Sequence, residues 1–273
     1  MKRISQFIIL VLISTSFSIQ HKQWVAIGDS ITYLNDHPEE TGNRVTKGYM
    51  TRVVEKLPEF DFINRGRNGW TSGDIAAKIE TLDIPRADIY SVFLGTNDWW
   101  RGRTLGTLND YKSSTGNNTV FGSFRLIINR LRTLNNKAQI ILMTPIQRGD
   151  FVYINNMANM AYGSYREKES QSLEQFANAI LEIGSYEKLV VVDLYHKSGM
   201  TVKNMVKFKR LKEPATGKYK DYVYPDFVDV PFNPKTDEYP YPMEAIDMTY
   251  DGLHPSDKGN AIIAKMLVEV LRN

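Results

Sequence analysis

At 273 residues, with 42% hydrophobic and 24% charged residues, the chain can bury a sizeable core, which excludes a disordered or fibrous class. A formal net charge of +3 gives no support to nucleic acid or an anionic membrane surface as a partner. Without a single cysteine, disulfides, thiolate metal sites and a lipid-bearing cysteine are excluded.

Residues 1–19 open with Lys2 and Arg3, continue through an apolar run from Phe7 to Ile13, and end in small polar residues around Ser16 and Ser18. This is the order of a signal peptide, and the apolar run is too short to span a bilayer. The expectation is export to the periplasm or the exterior, leaving residues 20–273 as a single domain.

That remainder alternates short apolar runs with segments of helical spacing. Trp24 to Gly28 reads as a buried strand that ends in the turn Gly28-Asp29-Ser30. A polar loop with His37 follows, then a helix over residues 47–57 closed by Pro58, and a second strand from Phe60 to Asn64. The turn Gly66-Arg67-Asn68-Gly69-Trp70 leads to a helix capped by Thr71 or Ser72 and running to about Leu82. A third strand over 87–94 ends in Gly95-Thr96-Asn97-Asp98. Residues 101–118 are polar enough to predict a long functional or mobile loop. A helix over 121–134, a strand over 139–143, an unassigned aromatic stretch over 150–165, a helix over 166–183 and a fifth strand over 189–194 come next. The pattern then breaks: residues 195–250 are rich in Tyr, Phe and Pro, with a hairpin predicted between 205–212 and 218–224. Asp251-Gly252-Leu253-His254-Pro255 and a helix over 256–271 close the chain. Strands alternating with helices in this way predict a parallel sheet covered by helices on both faces.

Open α/β sheets place their ligands at the carboxyl ends of the strands, and Ser30 sits at such an end. A serine hydroxyl needs a base before it becomes a nucleophile. His254 can supply that base, with Asp251 three residues earlier in the same loop to orient its ring. An Asp-x-x-His pair is common by chance; its place after five predicted strands singles it out. Asn97 falls at the same sheet edge, where its amide can donate to a developing oxyanion or cap its own turn. Gly69 can bring a backbone N–H close to a ligand or merely supply positive φ. Four scattered histidines offer no metal-ligand spacing, the glycine turns match no phosphate-binding pattern, and no cofactor is expected.

Gly28-Asp29-Ser30, Gly69, Gly95-x-Asn97-Asp98 and Asp251-x-x-His254-Pro255, in this order, resemble the GDSL/SGNH hydrolase family. The resemblance covers residues 24–271 and departs slightly at Trp70, where the family often carries a small or acidic residue. It implies a flavodoxin-like three-layer α/β/α sandwich around a five-stranded parallel sheet. It also implies ester hydrolysis through an acyl-serine intermediate: Ser30 as nucleophile, His254 as base and acid, Asp251 as its orienter, and an oxyanion hole from Ser30, Gly69 and Asn97.

Trp70, Trp99 and Trp100 flank these blocks and are the candidate substrate-binding residues. With the aromatics of residues 195–250 they offer flat faces for sugar rings, and no long aliphatic run is present to hold an acyl chain. Deacetylation of a carbohydrate is therefore the leading expectation, with a small-molecule or polysaccharide ester as the partner. The same aromatics can instead form a satellite cluster that pins the insertion to the domain. Lipid-ester or thioester hydrolysis and a non-catalytic glycan-binding protein are the alternatives.

Overall fold

Five strands alternate with helices to form the sheet that positions everything else. The computed structural model describes residues 21–272; the predicted signal peptide, 1–19, lies outside them. Strand β1 (Lys22–Gly28) leads into the single turn α1 (Ser30–Tyr33), and α2 (Tyr49–Lys56) connects to β2 (Phe60–Gly66). Next come α3 (Ser72–Lys78), β3 (Ile89–Phe93), the short helices α4 (Thr96–Trp100) and α5 (Leu108–Lys112), and the longer α6 (Val120–Leu134). Strand β4 (Gln139–Met143), a small hairpin of β5 (Phe151–Tyr153) and β6 (Asn156–Ala161), α7 (Leu173–Glu187), β7 (Val190–Val192) and α8 (Leu194–Lys197) follow. A second hairpin, β8 (Lys209–Lys212) with β9 (Tyr219–Tyr222), precedes the closing helix α9 (Asp257–Leu271).

The main sheet has the order β2-β1-β3-β4-β7 and every pairing in it is parallel. Side-chain alternation along each strand sends successive residues to opposite faces. Trp24 and Ala26 thus join the core under α2 and α9, while Val25 and Ile27 join the core under α3, α6 and α7. Both faces are apolar, as a sheet covered on two sides requires. The three-layer α/β/α arrangement with five parallel strands is the one expected.

Several segments depart from their expected bounds. Helix α7 begins at Leu173 and not at 166, because Ser172 and Gln175 form a reciprocal capping box that sets its start. Helix α3 ends at Lys78, short of Leu82. The stretch over 101–118 is neither unstructured nor loose. It contains α5, and Gln171 holds it by accepting from the Leu105 amide at 3.0 Å and donating to the Arg103 carbonyl at 3.0 Å. Within residues 150–165, where the sequence assigns no element, β5 and β6 pair as an antiparallel hairpin.

The 195–250 segment is tied to that hairpin by polar contacts that only tertiary packing creates. Asp150, just before β5, accepts from the Gly163 amide at 2.9 Å, from the Tyr165 hydroxyl at 2.6 Å and from Lys209 Nζ at 2.8 Å. Tyr241 donates to the Asp150 carbonyl and Tyr239 to that of Val152, within a small cluster of Val152, Val206 and Tyr241. The Asp150–Lys209 pair is almost wholly buried. Lys209→Met leaves that carboxylate without its countercharge, so a destabilisation of about 3–5 kcal/mol is expected in urea unfolding. A change under about 1 kcal/mol would mean that the tyrosine and amide donors already satisfy Asp150.

Candidate active site

The carboxyl ends of β1, β2 and β3 carry Ser30, Gly69 and Asn97. β1 is followed by β2 on one side and neighbours β3 on the other, so the chain reverses its direction of winding there and opens a crevice. Ser30 is the first residue of α1, and Asp29 caps that turn by accepting from the Ile31 amide at 3.0 Å. The third strand ends in Gly95 and α4, which present the Asn97 side chain to the same crevice.

Asp251 and His254 arrive from the loop before α9. His254 Nε2 lies 2.9 Å from Ser30 Oγ, and His254 Nδ1 lies 2.7 Å from Asp251 Oδ2. An ionised carboxylate only accepts, so Nδ1 carries the ring proton and Nε2 of the neutral ring accepts from the serine. Asp251 is fully buried, and its Oδ1 takes the amides of Leu253 at 3.0 Å and His254 at 2.7 Å. Gly252 makes this loop possible: its φ is +91°, and a Cβ there would stand 1.7 Å from the Asp150 carbonyl oxygen. The imidazole is fixed by rings on two sides, Tyr250 stacked at 5.9 Å and Phe151 edge-on at 5.4 Å.

Gly69 has φ +71° and, like Asn97, lines the cavity that holds Ser30 and His254. One N–H of the Asn97 amide donates to the Trp70 carbonyl at 3.0 Å, which orients the group and leaves its second N–H for another acceptor. Asp98, wholly buried, accepts from both the amide and the hydroxyl of Ser72 and lies 3.3 Å from Arg103 Nε. Burial pushes its carboxyl up from the ordinary range against those opposing contacts. It ties α4, which bears Asn97, to the start of α3, which follows the turn of Gly69.

Asp29 is buried beside the serine, and that burial raises its pKa to about 6, against the opposing pull of the Ile31 amide. Between the unfolded value near 3.8 and about 6 the native chain holds a proton that the unfolded chain has released. Its contribution to stability is therefore complete below pH 3.8 and is lost as pH rises through 6. Asp29→Asn, which keeps the cap, is expected to remove up to about 3 kcal/mol of this pH dependence. Urea midpoints of both proteins between pH 4 and 7 check it: parallel curves would exclude a buried, proton-holding Asp29.

The cavity around Ser30 and His254 encloses about 400 Å³, and its aliphatic lining is limited to Leu34, Ala161 and Leu253. Trp100 lines it, as do Phe151, Tyr153 and Asn159 from the β5–β6 hairpin. Sequence reasoning missed these hairpin residues, since Asn155-Asn156 is a weak turn signal and Asn156–Ala161 lacks alternation. Trp99 is not placed to meet a substrate. It is fully buried, with Nε1 donating to the Gln171 carbonyl at 2.9 Å, because its spacing on α4 turns it into the core. Trp70 packs partly buried against that core and reaches the site only through its carbonyl.

A second groove of about 480 Å³ adjoins the first and shares Trp100, Phe151 and Ala161 with it; Tyr162, Tyr165, Phe227 and Phe232 supply aromatic walls. His196 sits on α8 and bonds Asp193 through Nδ1 at 2.9 Å. His37, Glu39 and Glu40 bring potential metal-ligand atoms within 4.8 Å of one another, but Tyr33 already donates to Glu40 at 2.9 Å and stacks on His37. No helix of the described residues is long and apolar enough to cross a membrane.

The fold has counterparts among solved structures. A crystal structure of a possible lipase from Chitinophaga pinensis is 62% identical, superposes with a TM-score of 0.91, and covers 92% of this chain and 98% of its own. A Lactobacillus plantarum protein (21% identity, TM-score 0.63, covering 93% and 97%) shares the fold. So does an acetyl-xylooligosaccharide esterase from Geobacillus (20% identity, TM-score 0.52, covering 91% and 93%). No curated protein matches the chain. The model of the GDSL-like lipase/acylhydrolase family matches residues 26–262, and the chain accordingly belongs to that family.

Proposed function

We propose that this protein is an exported serine esterase that removes acetyl groups from a carbohydrate. The observation that carries the esterase reading is the continuous chain of hydrogen bonds from Ser30 through His254 to Asp251, facing the cavity that Gly69 and Asn97 also line. In this reading Ser30 Oγ attacks the ester carbonyl carbon while its proton passes to His254 Nε2. The developing oxyanion takes the second N–H of Asn97 and the backbone N–H groups of Ser30 and Gly69. Collapse breaks the bond to the alcohol, which leaves with the proton from His254. A water, deprotonated by the same nitrogen, then releases acetate and restores Ser30.

The carbohydrate assignment rests on the small aliphatic share of the cavity lining and on the aromatic rings of the groove beside it, whose walls also include Val152, Met160, Val228 and Val230. Flat aromatic walls suit sugar faces, whereas a long acyl chain needs an aliphatic tunnel. Acetate release from acetylated polysaccharides, wild type beside Ser30→Ala, tests it. Rates that rise with acyl length across a series of simple esters would favour a lipid esterase. Oligosaccharide binding without Ser30-dependent turnover would favour a glycan-binding protein. Asn97→Ala is expected to cost roughly 10²–10³ in kcat. A loss below about threefold would remove Asn97 from the oxyanion hole.

A further inference from the structure

Arg148 stands out among the residues of the Ser30 cavity because it is charged, buried and unpaired. It is 1% exposed and lines the cavity; its Nε and Nη2, both sealed from solvent, find no hydrogen-bond partner among the described residues, which leaves Nη1 as the nitrogen to meet the cavity. The guanidinium carbon lies over the rings of Trp99 at 5.5 Å and Trp100 at 5.2 Å. Such contacts offset part of the cost of burying the charge but use none of the N–H donors. Buried donors left unsatisfied are expensive, and a buried cation more so.

The nearby carboxylates do not resolve this. The charges of Asp150 and Asp251 reach Arg148, as do the hydroxyls of Tyr241 and Tyr162. However, Asp150 is engaged by Lys209, Tyr165 and the Gly163 amide, and Asp251 by the His254 ring and two amides. Burial consequently dominates and draws the guanidinium pKa down to about 10, still leaving it charged at neutral pH. Arg101 also lines the cavity, against the single carboxylate of Glu40, so its polar lining leans cationic.

We propose that Arg148 binds a carboxylate on the substrate, and that the natural ester is an acetylated acidic sugar such as a uronic acid. Through Nη1 the guanidinium offers a charge-assisted donor to a carboxylate oxygen, a contact that a neutral hydroxyl makes only weakly. The inference builds on the esterase reading above and names the chemistry of its substrate. It also gives Trp99 and Trp100 a shared task, as the faces that hold Arg148 in place.

The test uses a matched pair, methyl glucuronoside and methyl glucoside acetylated at the same positions, with 4-nitrophenyl acetate as an independent report on the esterase itself. Wild type is expected to favour the glucuronoside at least tenfold in kcat/KM, mainly through KM. In Arg148→Gln that ratio should fall by roughly 10- to 100-fold, and Arg148→Lys should retain part of it. Equal losses on both sugars, or a wild-type ratio near one, would overturn the proposal and leave Arg148 a structural countercharge. Binding of free glucuronate against glucose to Ser30→Ala decides the same point without turnover or an Arg148 variant. Tighter glucuronate binding supports the proposal even if no ester is cleaved, and equal binding sinks it. Absence of Ser30-dependent hydrolysis of 4-nitrophenyl acetate would count against the esterase reading alone.

Discussion

Replacing Ser30 with alanine is expected to lower kcat by roughly 10⁶-fold, the scale on which a serine nucleophile fails when its oxygen is removed. The variant loses one atom from a cavity of about 400 Å³ and leaves the His254–Asp251 pair intact. Substrate should therefore still bind, and the loss should fall on kcat. What persists is the contribution of the oxyanion donors and of binding, some 10³–10⁴ above water. Steady-state rates on 4-nitrophenyl acetate measure the first point. Intact mass after brief exposure to a slowly released acyl ester reports the acyl-serine itself: wild type should gain one acyl group and the variant none. Activity within tenfold of wild type would remove Ser30 as nucleophile.

Asp251→Asn is expected to cost about 10⁴ in kcat while leaving the fold in place. The carboxylate has two tasks, and asparagine keeps one of them. Its Oδ1 can still accept from the Leu253 and His254 amides, so the loop holds its shape. Its Nδ2, facing His254 Nδ1, is a donor where an acceptor is needed. The ring must then carry its proton on Nε2, which can no longer take one from Ser30. Thermal unfolding should consequently move little while turnover collapses. A loss of less than tenfold in kcat would show that Asp251 serves the loop alone. A collapse of the unfolding midpoint would assign the loss of activity to folding.

The residues read most directly from sequence were those lying where a strand stops. Apolar runs mark the strands, and Gly-Asp-Ser, Gly-x-Asn-Asp and the turn around Gly69 mark their ends. A parallel sheet puts all carboxyl ends on one edge, so order along the chain was enough to bring Ser30, Gly69 and Asn97 together. The five-stranded sheet and the family resemblance followed from the same pattern, and the family profile over residues 26–262 agrees. The hairpin expected between 205–212 and 218–224, which forms as β8 and β9, was legible for a similar reason, since its turn and alternation are local.

Contacts between segments far apart in sequence were not legible. Whether Trp99 or Trp100 faces the cavity depends on how α4 seats against α7 and the Gln171 carbonyl, which adjacent positions in a sequence cannot express. The clamp of Asp150 on Lys209, and the seating of Arg148 over the adjoining rings of Trp99 and Trp100, arise because packing brings residues 148–150 beside α4 and β8. Local pattern thus determines which elements form and which ends carry chemistry, because hydrogen bonding and hydrophobic period act over a few residues. Burial, pairing and the shape of the cavity are decided by long-range packing. That is why the catalytic candidates could be named from the chain alone, while the charge that selects among substrates emerged only in the folded molecule.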